Sequence, residues 1–127
     1  MELFEPRRAF SGFAVPDIDT ARRFYGETLG LPVTERDGLL ALHVGGGEDV
    51  LVYPKPDFAP ATYTILNFPV DDIEQAVDAL KSRGVEFLRY EGFDQDDRGI
   101  SRNPHGPAIA WFADPAGNIL SVIEITG

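Results

Sequence analysis

The sequence predicts an α+β protein built from two βαβββ modules, and three observations carry that reading. Val15-Pro16-Asp17-Ile18-Asp19-Thr20-Ala21 is echoed 55 residues later by Val70-Asp71-Asp72-Ile73-Glu74-Gln75-Ala76. Each echo follows an apolar extended run and opens an amphipathic stretch that closes on glycine, at Gly30 and at Gly84. Further apolar runs then follow, separated by Gly, Pro and Asp turns. The 127 residues amount to one domain, 1–127. Two copies within it, 8–54 and 61–125, are each too small to be stable alone, so they are expected to share a sheet or exchange elements.

The elements follow in order. Residues 8–15 read as a strand. Asp17 caps the helix behind it, whose apolar positions Ile18, Ala21, Phe24, Tyr25 and Leu29 recur at helical spacing. Pro32 prevents that helix from continuing past Gly30. Strands are expected at 32–36, 38–44 and 49–54, the last two joined by Gly45-Gly46-Gly47. That triplet lacks the Lys-Ser/Thr and the helix a phosphate loop requires, so it reads as a hairpin turn. Pro54 to Pro60 is a proline-stiffened bridge. Tyr63–Val70 is the next strand, and Asp72 with Gln75 makes a capping box for a helix over 73–83. Its buried stripe is Ile73, Ala76, Val77 and Leu80. Val85–Tyr90 reads as a strand and Glu91–Asn103 as a long polar loop, an acidic lid. Ala108–Ala113 and Ile119–Ile125 complete the chain around the turn Asp114-Pro115-Ala116-Gly117-Asn118.

Composition narrows the function. Hydrophobic residues at 43% with 25% charged describe a globular chain, and zero cysteines exclude disulfides, thiolate metal sites and a cysteine nucleophile. Eleven basic against 21 acidic residues give a net charge of −10, which repels a phosphate backbone, so neither nucleic acid nor a membrane is an expected partner. No apolar run approaches membrane-spanning length, and Met1-Glu2-Leu3-Phe4-Glu5 lacks a leader's basic-then-apolar layout, so the expected location is cytoplasmic. Asp94, Asp96 and Asp97 lack the downstream bidentate Glu of a calcium loop.

The doubled unit, Phe24-Tyr25 followed by Leu29-Gly30-Leu31, and the closing Trp111-Phe112-Ala113-Asp114-Pro115-Ala116-Gly117-Asn118 resemble the vicinal oxygen chelate superfamily. That superfamily contains glyoxalase I, bleomycin resistance proteins, fosfomycin resistance enzymes and extradiol dioxygenases. The resemblance covers residues 8–125 and implies a half-open mixed β-sheet cup, with homodimers common. In metal-using members His and Glu side chains from the first and last strands of each module hold the ion. Placed by the repeat and by the Asp-Pro-Ala-Gly-Asn turn, those positions fall here at Phe10, Val52, Ile65 and Ser121. Three apolar groups and a hydroxyl do not hold a divalent cation, so no metal and no other cofactor is expected.

Strand parity places Phe10 and Gly12, Ile65 and Asn67, and Ser121 on the cup face. Tyr53 and Tyr90 lie near strand ends, where they would line the mouth. Trp111 offers a stacking surface if it, rather than Phe112, faces the cup. His105, where the long loop meets the Trp111 strand, is the best candidate acid–base residue; His43 is the other histidine. Ser121 has no assignable His–Asp pair and is not read as a nucleophile. The resulting expectation is a metal-independent binder of a small apolar or aromatic compound, of the drug- or natural-product-resistance type. The alternative is a metal-independent isomerase, lyase or cyclase acting in the same cup.

Overall fold

The computed structural model describes residues 3–125; Met1 and Glu2 of the N-terminal stretch considered above, and Thr126 and Gly127, lie outside them. The chain divides between Pro60 and Ala61 into two compact units. Among the described residues no helix is long and apolar enough to cross a membrane.

In the first unit a single 3₁₀ turn, Pro6–Arg8, precedes β1 (Gly12–Val15), which starts later than the expected residue 8. Helix α1 (Ile18–Arg22) follows. The Asp17 carboxylate accepts from the Asp19 N–H at 3.1 Å and from the Thr20 hydroxyl at 2.7 Å, satisfying donors the helix leaves open. These same bonds hold its pKa below the ordinary value, the Thr20 hydroxyl contributing most. From Arg23 to Thr28 the helix widens to π geometry, with Leu29 N–H donating to Phe24 C=O. Both Phe24 and Tyr25 are buried there, and Tyr25 packs against Phe13 and Phe24 at centroid distances of 5.7 and 5.1 Å.

Strands β2 (Val33–Arg36), β3 (Leu39–Leu42) and β4 (Val50–Pro54) complete a four-stranded sheet in the order β1-β4-β3-β2. Asp37 and Gly38 both take positive φ, 55° and 78°, the geometry of the two-residue turn that matches strand twist between β2 and β3. The first and last strands, β1 and β4, run parallel; the other pairs are antiparallel. Phe13, Val15, Val52, Leu40 and Leu42 are buried with Ile18 and Ala21 of α1. The alternate residues form the sheet's open face.

The second unit repeats the plan with one strand fewer. Strand β5 (Thr64–Val70) leads to α2 (Ile73–Ser82), capped by Asp72, whose carboxylate accepts from Gln75 N–H at 3.1 Å. Glu124 reaches the same helix end from the last strand, accepting from Ile73 N–H at 3.0 Å. Strands β6 (Ile109–Ala113) and β7 (Ile119–Glu124) complete a sheet ordered β5-β7-β6, with β5 parallel to β7. The expected strand at 85–90 does not form. Only Phe87 bridges to Phe112, and Leu88 N–H donates to Trp111 C=O.

The segment after it is tied down rather than a free lid. Gln95 accepts from Tyr90 N–H and donates to the carbonyls of Leu88 and Gly99, all within 2.9 Å. Its side chain thus fills places a neighbouring strand would fill. Ile100 is buried, and Arg98 grips Asp78 of α2 through two hydrogen bonds of 3.0 and 3.2 Å. Arg98 and Arg102 also pair with Glu74.

Candidate ligand-binding site

Register decides which residues each open face presents. In the second unit Asn67 pairs with Ser121, and Ser121 with Trp111. Neighbours in register share a face, so these three lie together, opposite Ala110, Phe112, Leu120 and Val122, which are buried. Trp111 therefore belongs to the open face and Phe112 to the core, where it meets Phe87 at 5.5 Å. Ser121 is fully buried, and its hydroxyl donates to Asn67 Oδ1. That bond ties down the exposed Asn67 amide on the same face, one strand beyond Ser121 from Trp111.

Around Trp111 stands an aromatic cluster. Tyr90 meets it edge-on at 5.4 Å, Phe93 at 5.3 Å, and Tyr90 and Phe93 lie 6.1 Å apart. Phe93 is 56% exposed, a large apolar ring held at the surface by the anchored 91–103 segment. Burial raises the Tyr90 phenol above its ordinary pKa of 10.0, keeping it neutral and able to donate. Tyr90 and Trp111 were legible as candidates; Phe93 was not. The only signal for it was an apolar residue inside an otherwise polar loop.

The remaining sequence candidates fall in different places. Val52 is fully buried and paired with Phe13 and Leu40, so it belongs to the core under α1 and not to the open face. Leu51 and Tyr53 occupy the open face of β4 instead, because a shift of one residue along a strand exchanges its faces. Tyr53 is half-exposed and pairs with Ala14. Phe10 precedes β1 and is exposed. Gly12 pairs with Leu51, and a Cβ there would lie 3.0 Å from the Leu51 carbonyl oxygen; close strand approach accounts for that glycine. Ile65 sits at a bulge, since pairing jumps from Thr64–Ile119 to Leu66–Leu120. His105 is exposed at the turn between the paired residues Ser101 and Ile109, and its backbone N–H donates to Asn103 Oδ1 at 2.9 Å. Nothing in the hydrogen bonding of the described residues brings its ring to Trp111 or Ser121.

Among the described residues no group of three or more His, Asp or Glu side chains is gathered to hold a metal ion. The places the resemblance assigned to metal ligands, Phe10, Val52, Ile65 and Ser121, offer only carbon and hydroxyl groups, and Leu51 and Tyr53 on the open face of β4 add no imidazole or carboxylate. That donor set does not fit a divalent cation.

The Asp114–Asn118 turn explains its own signature chemically. Buried Asp114 accepts from the N–H groups of Ala116 and Asn118 at 3.0 and 2.8 Å, and the Asn118 amide returns to it at 3.2 Å. Asn118 Oδ1 also accepts from Ala61 N–H, tying the turn to the start of the unit. These residues build the sheet rather than the site.

Comparison with known proteins agrees with this architecture. The sequence profile of the glyoxalase/bleomycin resistance protein/dioxygenase superfamily matches residues 9–122. No curated protein matches the sequence. A solved structure of a superfamily member from Sphaerobacter thermophilus is similar at a TM-score of 0.72 and 23% identity, over 93% of this chain and 96% of that one. TnmS3, an antibiotic binding protein from a Streptomyces species, gives 0.67 and 20% over 99% and 100%. The fosfomycin resistance protein FosX of Listeria monocytogenes gives 0.69 and 12% over 93% and 92%. With the doubled sheet-and-helix unit and the profile match over nearly its whole length, the chain belongs to the glyoxalase/bleomycin resistance protein/dioxygenase superfamily.

Proposed function

We propose that this protein binds and sequesters a flat apolar or aromatic small molecule, without a metal, on the open face of its second sheet. The observation that carries the reading is the Trp111–Tyr90–Phe93 cluster beside the Asn67–Ser121 pair. The cluster gathers three aromatic rings in tilted and edge-to-face contact, with Phe93 largely exposed, a surface on which a flat ligand can stack, and the Asn67 amide and Tyr90 phenol supply polar points for orientation. Likeness to an antibiotic binding protein and to a fosfomycin resistance protein supports a ligand of the drug or natural-product class. The same reading takes the protein as a cytoplasmic homodimer with no nucleic-acid or membrane partner, in keeping with its net charge of −10.

Trp111, the single tryptophan, is a built-in reporter. Titration with planar aromatic antibiotics, with and without EDTA, is expected to give saturable quenching at micromolar ligand that EDTA leaves unchanged. Calorimetry on Trp111→Leu and Asn67→Ala should show at least tenfold weaker binding, and the ligand should be recovered chemically intact. Equal affinity in both variants, or turnover of the ligand, would end this assignment.

A further inference from the structure

The open face of the first sheet carries a different chemistry. His43, just beyond β3, sits between two partners: its Nδ1 lies 2.8 Å from Asp49 Oδ1 and its Nε2 lies 2.6 Å from Thr34 Oγ1. An ionised carboxylate only accepts, so Nδ1 carries the proton and donates to Asp49. In the neutral ring Nε2 then carries the lone pair, which accepts a hydrogen bond from the Thr34 hydroxyl. This is the arrangement that makes an imidazole a base: one nitrogen fixed by a carboxylate, the other presented to an exchangeable hydrogen.

The three residues line a cleft of about 400 Å³ together with Arg36, Asp37, Leu39, Ala41 and Leu51. Leu39, Ala41 and Leu51 give it an apolar floor. Among the described residues Arg36 takes no carboxylate partner, and it lies two positions from Thr34 on β2, about 7 Å along the strand.

We infer that this cleft is a proton-transfer site for a small organic anion bearing an acidic C–H next to a carbonyl, a 2-oxo acid in the simplest form. Arg36 takes the substrate carboxylate and the apolar floor takes its carbon chain. His43 Nε2 removes the proton from C3; the C–H electron pair becomes the C2–C3 double bond, and the carbonyl oxygen becomes an enolate. The Thr34 hydroxyl, freed when Nε2 is protonated, turns its proton to that oxygen. Return of the proton from Nε2 to carbon restores the substrate and neutral His43, with no other reactant consumed. Asp49 acts by holding the ring and is a positioning residue. The charged groups lining the cleft around the imidazole are Asp49, Arg36 and Asp37. The inference rests on none of the residues of the aromatic site.

The test is deuterium uptake at C3 of 2-oxobutyrate in D₂O, followed by proton NMR in the presence of EDTA. The intact protein should exceed buffer by at least tenfold. His43→Gln should fall to the buffer rate and Asp49→Asn at least tenfold below the parent, with near-UV circular dichroism confirming the fold. Nitrogen-15 spectra should show the Nδ1–H tautomer in the parent and its loss in Asp49→Asn, which a merely structural Asp49 beside an idle ring would not couple to exchange. Arg36→Gln should raise the half-saturating substrate concentration and leave the saturated rate within about threefold. Parent exchange at the buffer rate, or exchange surviving in His43→Gln, overturns the inference.

Discussion

Replacing Gln95 with alanine removes three hydrogen bonds at once, to Tyr90 N–H and to the carbonyls of Leu88 and Gly99. Each is worth about 0.5–1.5 kcal/mol net, and the backbone groups left behind are partly shielded from water, so the segment loses about 2–4 kcal/mol. The rest of the second unit keeps its sheet and helix, so the expected response is local opening of residues 88–101 rather than global unfolding. Amide exchange at Tyr90 should accelerate about 30-fold or more, while that of β7 stays unchanged. Phe93, carried 5.3 Å from Trp111 by this segment, should lose its place, and Trp111 emission should shift to the red. Affinity for aromatic ligands should fall with it, because a pre-formed stacking surface becomes one that must be ordered on binding. Unchanged exchange at Tyr90 together with unchanged emission would refute the claim that one side chain holds the aromatic cluster in place.

Other consequences follow from the register and the electrostatics. Val52→Ala should cost about 1.5–3 kcal/mol in urea unfolding with an unchanged slope, whereas Leu51→Ala, on the half-exposed face, should cost well under that. Asp114→Ala removes the acceptor for two backbone N–H groups and an amide in a buried turn, and should lower stability by about 2–4 kcal/mol in the same assay. Arg98 holds the Asp78 carboxyl below its ordinary pKa of 3.8, chiefly by hydrogen bonding. A lowered folded-state pKa gives stability that is present above 3.8 and lost as pH falls through the folded value. Exchange in the 91–103 segment should therefore rise on acidification below about pH 4, and Asp78→Asn should abolish that rise.

Much of the fold was legible because its cues are local. Asp17 and Asp72 cap helices where the echo placed them, and the Asp-Pro-Ala-Gly-Asn turn joins the last two strands. What escaped depends on pairing across the chain. Placement by the repeat and by the Asp-Pro-Ala-Gly-Asn turn chose Val52, whereas the register sets it opposite Phe13 on the buried face. The bulge at Ile65 interrupts a parity argument that holds again from Asn67 onward. Residues 85–90 have strand composition, yet Tyr90 N–H and the Leu88 carbonyl pair with the Gln95 side chain instead of a neighbouring strand, which no periodicity reveals. His43 was visible as a histidine; Thr34 on β2 and Asp49 just before β4 became its partners only through folding, nine and six residues away.

The parallel pairing of first and last strands also sets when each unit is able to fold during synthesis. Asn67 waits for Ser121, a separation of 54 residues, whereas Ala113 and Ile119 meet across a five-residue turn. Closing the longer loop costs about 2 kcal/mol more in chain entropy. The β6–β7 hairpin can therefore form as soon as both its strands are free, whereas β5, though made first, has no partner until β7 has been made. In the first unit the same wait is shorter, because β1 finds its parallel partner β4 about 39 residues later.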